Sequence, residues 1–320
     1  MFDLNDSEDL LIVQEELPEG HRSGFVALVG KPNVGKSTLL NAWIGYKLAA
    51  VTPKPQTTRT SLLGILTRDD AQVIFCDTPG IHEPVTKLGA FMVDRAKRAV
   101  DDADLVLFIV DVSQPPDDED RRVAHFLADA LPATTPVILG LNKADLAQQP
   151  EEPEHRDAYA SLGRFASVRA YSALTGMGRD ALLEEIILAL PEGPRFFPAD
   201  QLTDANERFV AAETIREKAL FFLHQEVPHA LAVVVQEYSE RDDGFLEIAA
   251  TLYTERESQK GIVIGRGGTM LKKIGRAARE DIEAFTGSKV YLRLWVKVRP
   301  NWRKKEPLLR ELGYPLPRHG

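Results

Sequence analysis

The chain has 320 residues, 44% of them apolar and 27% charged, too many for one small domain and too apolar for a disordered chain. Its uninterrupted apolar runs, such as Leu105 to Val110 and Ala230 to Val235, fall far short of the ~20 residues a membrane-spanning helix needs. A single cysteine, Cys76, excludes an internal disulfide and fits a reducing cytoplasm.

Residues 1–20 carry seven acids and no base, the opposite of a secretory signal's start, so 1–22 reads as a solvated acidic tail. Next comes the apolar run Phe25 to Val29, followed at 30–37 by GKPNVGKS. A strand entering a Gly-x4-Gly-Lys-Ser turn before a helix is a phosphate-binding loop. Gly30 and Gly35 permit the turn, its amides and the helix N-terminus face phosphate oxygens, Lys36 adds a point charge, and the Ser37 hydroxyl is placed for Mg²⁺. Lys31, Pro32, Asn33 and Val34 complete the loop, and Thr38 follows it.

The proline-flanked stretch Gln56-Thr57-Thr58-Arg59 offers hydroxyls, one of which would complete the metal shell when the triphosphate is bound; spacing does not choose between Thr57 and Thr58. The run Val73 to Cys76 then leads into Asp77-Thr78-Pro79-Gly80. Asp77 can hold a metal-bound water and the Gly80 amide can meet a γ-phosphate oxygen, so loss of that phosphate would release the following loop. The next residue, Ile81, is counted with Asp77 to Gly80 among the nucleotide-contacting residues, but its side chain can neither donate nor accept a hydrogen bond, so it cannot orient water; His82 reads as a surface loop residue.

A third apolar stretch, Val137 to Leu141, ends in Asn142-Lys143-Ala144-Asp145. A carboxylate at Asp145 can accept from both guanine N1–H and its 2-amino group, whereas adenine would strand it, at a cost of about 1.5–3 kcal/mol or more. Asn142 would brace neighbouring loops, and the Lys143 stem would cover the base. The stretch 148–157 reads as an acidic surface loop, and Ser172-Ala173-Leu174 as a loop whose backbone reaches guanine O6.

A helix over Asp180 to Leu190 closes a first domain at 23–190, and the Pro/Gly-rich 191–203 segment is a linker. The second domain, 204–320, opens on a helix at about 206–225 with Asp204 as its expected N-cap. Strands over Leu231 to Tyr238 and Phe245 to Tyr253 follow. Then Gly265-Arg266-Gly267-Gly268 joins a helix to Thr269 to Phe285, and an alternating strand runs from Lys289 to Arg299. The turn has no side chains to hold off a sugar-phosphate backbone, and Arg266 with the helix N-terminus can grip phosphate. Net charge supports this: residues 256–320 hold 16 Lys and Arg against 6 Asp and Glu, or +10, while the remainder holds 23 against 42, or −19. The RNA-contacting set is therefore Gly265, Arg266, Gly267, Gly268, Lys272, Lys273, Arg303, Lys304 and Lys305. Trp295, Trp302 and Tyr314 are candidate base-stacking residues.

Five loops in this order, each at a strand's C-terminal end, resemble the guanine-nucleotide motif series of translation-factor-type GTPases. The forms GKPNVGKS, QTTR and DTPGIH, with the helix–strand–strand–helix–GxxG–helix–strand tail, resemble the Era family of bacterial ribosome-assembly GTPases over about residues 22–316. Arg266-Gly267 departs from it, since family members often carry two polar or basic residues there.

The resemblance implies an α/β P-loop GTPase domain, a mixed sheet flanked by helices, followed by an α+β type II KH domain. It implies catalysis supported by Lys36, Thr58 and Gly80, with Mg²⁺ at Ser37, Thr57 or Thr58, and Asp77. K⁺ at Asn33 would act as an activating monovalent cation. Binding of GTP and GDP, of the 3′ end of 16S ribosomal RNA and of the 30S precursor follow from the same resemblance. So do a monomeric state and a cytoplasmic location with peripheral membrane contact. Two other readings are an RNA-binding adaptor that keeps GTP as a structural ligand, and a tRNA-modification GTPase.

Overall fold

Phe25 to Val29 is apolar without alternation, which requires a strand covered on both faces. The computed structural model, which describes residues 17–314 except 53, 55–56, 82 and 147–151, places it in the centre of a sheet. In chain order the first domain comprises β1 (Arg22–Val29), α1 (Lys36–Ile44), β2 (Leu62–Thr67), β3 (Ala71–Asp77), α2 (Lys87–Asp101), β4 (Leu105–Asp111), α3 (Asp118–Ala130), β5 (Val137–Asn142), α4 (Glu152–Ala160), β6 (Ser167–Ala170) and α5 (Arg179–Ala189). The strands lie in the order β2-β3-β1-β4-β5-β6, and only β2 runs antiparallel to its neighbour. The run Leu105 to Val110 is wholly buried because separate apolar clusters cover the two faces of the sheet. The nucleotide-type loops after β1, β3, β5 and β6 all emerge at the strands' C-terminal edge, where ligands of open α/β sheets collect.

Two expectations are corrected, for residues 152–160 and for Asp204, and the linker is placed. Residues 152–160 form α4 rather than continuing a surface loop: Tyr159 is fully buried, its hydroxyl donating to Asp111 O (3.2 Å) and Asp120 (3.1 Å), and that anchor holds the helix. The linker does not hang free. Ile65 N donates to Leu202 O (2.8 Å), Thr203 Oγ1 donates to Leu63 O (2.7 Å), and Gln72 Oε1 accepts from Phe196 N (2.7 Å), which ties its middle down. Asp204 does not cap the following helix, because its carboxylate accepts from Leu63 N (3.2 Å) on the outer edge of β2, beside the bonds made there by residues 202 and 203; Asn206 takes the cap, accepting from Phe209 N at 2.8 Å. Cys76 lies half-buried in β3, and burial pushes its thiol up to about 12.

The second domain follows as α6 (Glu207–Phe222), β7 (Ala232–Glu240), β8 (Leu246–Thr254), α7 (Glu257–Ile264), α8 (Thr269–Thr286), β9 (Val290–Val298) and α9 (Glu306–Glu311). The sheet order is β7-β8-β9, with β8 and β9 parallel. Its apolar face, including Ile248, Leu252 and Val290, packs with Ile215, Ile274 and Ala278 of the helices. Since β9 is an edge strand, only Val290 of its alternating apolar set is fully buried; Tyr291 and Trp295 face outward.

The two domains share a cluster. Leu88, Phe91 and Met92 of α2 pack with Tyr253, Trp302, Leu309 and Tyr314.

Candidate nucleotide site and RNA groove

The phosphate loop takes the shape its glycines permit. Gly35 has φ 104°, and a Cβ there would lie 2.2 Å from Asn142 Nδ2; one on Gly80 would lie 2.6 Å from Pro32 N, so the loop after β3 rests directly on the phosphate loop. Lys36 is buried, with Nζ donating to Gly30 O and Lys31 O, both at 2.9 Å. Burial pulls its ammonium down to about 8, against the pull of Asp77. Lys31 points away, paired at 2.7 Å with each of Asp117 and Asp120 in the capping box of α3, and Val34 is in the core. Asn33 stands at φ 65°. A cavity of about 370 Å³ opens over the loop, lined by Asn33, Gly35, Lys36, Ser37, Thr38, Thr58 and Lys143 among others.

Ser37, Thr58 and Asp77 converge. Ser37 Oγ donates to Asp77 Oδ2 at 2.7 Å and lies 3.0 Å from Thr58 Oγ1, which is itself 3.3 Å from Asp77 Oδ2. Asp77 is fully buried, and among the described residues its Oδ1 has no hydrogen-bond partner. Three hard oxygen donors and an unmatched buried carboxylate oxygen fit a Mg²⁺ ion. Thr57 is turned away, its hydroxyl donating to Lys54 O (2.6 Å) beside Thr52 Oγ1 (2.7 Å), so of the two threonines left open by the spacing only Thr58 reaches this point. Thr78 is a buried lock, donating to Leu28 O at 2.7 Å. Ile81 is corrected: its side chain packs in the core with Val29 and Val110, not in the site. Gln56 and His82 lie outside the described residues.

On the base side, Asn142 is the brace the sequence predicts. Its Nδ2 donates to Val34 O (2.6 Å) and its Oδ1 accepts from Ala173 N (2.9 Å), joining three loops. Lys143 takes φ 62° with Nζ 2.5 Å from Asp111, and Ala144 N donates to Tyr171 O at 3.1 Å. That places Asp145, half-buried, beside the Ser172–Leu174 loop, in which Ser172 and Ala173 are buried and Leu174 is exposed.

In the second domain the GxxG turn is built as expected. Gly265 (φ 72°), Gly267 (φ 60°) and Gly268 (φ 79°) carry it from α7 into α8, with Arg266 exposed. Beside it, α8 and β9 enclose a groove of about 440 Å³. Its apolar floor is Leu271, Leu292 and Leu294, and Lys272, Arg276 and Arg279 rim it, with Gly268 at one end. Sequence reasoning missed Arg276 and Arg279. Their spacing from Lys272, i+4 and i+7, puts them on one helix face and is the signal that would have found them. Lys273 falls on another face, 4.3 Å over the Phe222 ring.

Two further corrections follow. Arg303 is committed to Glu255 (2.6 Å), leaving Lys304 and Lys305 exposed. Trp302 is fully buried and Tyr314 nearly so, stacked on each other at 5.8 Å in the interdomain cluster; neither can stack a base, while Trp295 remains 45% exposed.

Residues 25–143 match the family described as 50S ribosome-binding GTPase, and residues 226–303 match the KH domain. These loops on this sheet, joined to this helix–turn–helix, define a P-loop GTPase with a C-terminal KH domain. GTPase Era of Caldanaerobacter subterraneus subsp. tengcongensis is 50% identical over 295 residues, covering 92% of this chain and 98% of that protein. GTPase Era of Ruminiclostridium cellulolyticum is 47% identical over 294 residues, with the same coverage. The chain belongs to the Era family of GTPases. Two solved structures agree, each with a TM-score of 0.87 at 39% identity over 92% of this chain and 100% of theirs: Era with MgGDPNP and nucleotides 1506–1542 of 16S ribosomal RNA, and an Aquifex aeolicus Era variant with GDP and aluminium fluoride.

Proposed function

We propose that this GTPase is a switch that binds the 3′ region of 16S ribosomal RNA along the α8–β9 groove and acts in 16S processing and 30S subunit biogenesis. The observation that carries the reading is the convergence of Ser37, Thr58 and Asp77 beside Lys36, in a chain whose second domain presents a cationic groove next to a GxxG turn. Ser37 and Thr58, with Asp77, would hold Mg²⁺, which when bound supplies positive charge to the phosphate oxygens. Lys36, held over the loop by the carbonyls of Gly30 and Lys31, would add a fixed charge toward the β- and γ-phosphates. Gly80, seated on Pro32, would place its amide at the γ-phosphate. Asp145 would read guanine, and the Ser172–Leu174 backbone would face its O6.

With Ile81 in the core, no side chain at that position orients water. Intrinsic hydrolysis is therefore expected to be slow, and to rise when RNA orders the loops on either side of the metal site. Asn33, in a left-handed turn at the cavity mouth, is the proposed contact for an activating K⁺. Multiple-turnover phosphate release with GTP, in K⁺ or Na⁺ and with or without a 16S 3′ fragment, tests the reading. No release under any of these conditions would favour the adaptor with a structural GTP, and equal rates in K⁺ and Na⁺ would remove the monovalent site. A tRNA-modification GTPase is disfavoured, since it would end in a helical module with a catalytic cysteine, and Cys76 lies in β3.

The groove makes its own prediction. Replacing Lys272, Arg276 and Arg279 together with Gln should flatten the salt dependence of RNA binding by about 2 log units per log unit of salt, at ~0.7 per lost phosphate contact. Lys273→Gln, on the other face, should change it little. Equal effects per residue would reject the groove as the RNA path.

Among the described residues no helix is long and apolar enough to cross a membrane.

A further inference from the structure

Arg59 immediately follows Thr58, yet it serves the other domain. It is 1% exposed. Its guanidinium donates to Leu231 O (2.6 Å), His229 O (3.2 Å) and Pro228 O (3.4 Å), lies 3.5 Å from the Tyr314 hydroxyl, and sits 5.7 Å over the Trp302 ring. These partners are carbonyls, a hydroxyl and a ring, all belonging to the KH half of the chain, and none is a carboxylate. One residue before Thr58, the Thr57 carbonyl accepts from Arg216 of α6, itself fully buried and paired with Glu213. Lys54 donates to the Leu220 and Leu223 carbonyls at the end of the same helix. Phe209 and Glu213 of α6 line the same small void as Thr58 and Asp77.

The segment 57–59 is thus held from both sides at adjacent residues. The Thr58 hydroxyl belongs to the Ser37–Asp77 cluster, while the Thr57 carbonyl and the Arg59 side chain belong to the KH domain. Consecutive Cα atoms are fixed about 3.8 Å apart, so while both grips hold, the Thr58 backbone can only swing about the Thr57–Arg59 axis, and any larger displacement drags one grip or the other. Releasing Arg59 would strand a buried charge and four acceptors together, which makes partial release costly and favours two discrete arrangements.

We infer that Arg59, supported by Arg216, is a positioning residue that couples the metal and phosphate site to the docking of the KH domain. Thr58 in place for the triphosphate and the KH domain docked on segment 57–59 are one state of a two-state element, and linkage makes the coupling reciprocal. The RNA arm of this inference rests on the function proposed above; the coupling between domains does not.

The test uses the full-length chain as wild type, Arg59→Ala and Arg59→Lys. Hydrogen exchange is read in residues 213–231, in GDP and then in MgGDPNP, without RNA. Wild type should change protection there when the nucleotide is exchanged, and Arg59→Ala should lose that response. Arg59→Lys, which keeps the charge but not the fork, should respond partially, and it carries the test if the alanine variant fails to fold. In parallel, the ratio of 16S 3′-fragment affinities in the two nucleotide states should be about tenfold in wild type and near unity in Arg59→Ala. A folded Arg59→Ala or Arg59→Lys protein with the full wild-type response would overturn the coupling, as would a wild type with none. Absence of RNA binding by wild type in both states would instead overturn the RNA reading and leave the exchange result to decide the coupling.

Discussion

Asp145→Asn is expected to lower GTP affinity by about 10⁴-fold, the discrimination a site built on hydrogen bonds to one base can impose. The substitution is nearly isosteric, so the loop should keep its form: Asn142 still ties Val34 to Ala173, and Ala144 still donates to Tyr171. What changes is chemistry. A carboxylate accepts from both guanine donors, whereas an amide opposes one of them with its own N–H₂ group and leaves a desolvated clash. The same amide suits a base with a carbonyl at position 2, so xanthosine triphosphate should recover most of the lost affinity. Calorimetric titration with GTP, ATP and xanthosine triphosphate decides the matter. A variant that still prefers GTP over both would show that guanine is read elsewhere.

Trp302→Ala should lower the stability of the whole chain by about 3–5 kcal/mol, the range for truncating a buried large aromatic. The indole is fully buried, stacks on Tyr314 and donates from Nε1 to Ala230 O at 2.9 Å, with the Arg59 guanidinium over its face. Removing it opens a void between α2 and the KH domain and uncovers a buried cation, so both domains should feel the loss. Trp295→Ala is the contrast: that side chain is exposed on β9, and its removal should cost under about 1 kcal/mol, within the surface range. Urea unfolding followed by circular dichroism measures both. Equal, small losses would mean that the domains are not held together by the Trp302 cluster.

Most of the nucleotide site was legible because its chemistry is local. Gly35, Lys36 and Ser37 act through a turn whose shape is set by eight neighbouring residues, and each of the loops after β1, β3 and β5 follows an unalternating apolar run. The KH order was legible from periodicity, as in the helix bearing Ile274, Ala278 and Ile282 at i, i+4 and i+8. The misreadings share a cause. Asp204 has the chemistry of a cap but was drawn to the outer edge of β2, leaving the cap to Asn206. Residues 152–160 lack an amphipathic signal and are helical because Tyr159 finds Asp120 across 39 positions of sequence.

The sequence by itself therefore determined the two domain classes, the order of the loops and the residues proposed to meet the nucleotide, since propensity, glycine placement and motif spacing act over a few residues. Only the tertiary structure decided that Thr58 rather than Thr57 meets Ser37 and Asp77, that Lys272 lines the groove and Lys273 does not, and that Arg59 and Trp302 belong to the interface between domains. The physical reason is that an exposed cation or aromatic and a buried one are written with the same letter. What separates them is whether a distant carbonyl, ring or apolar face arrives to replace water, and that is settled by how the two domains pack.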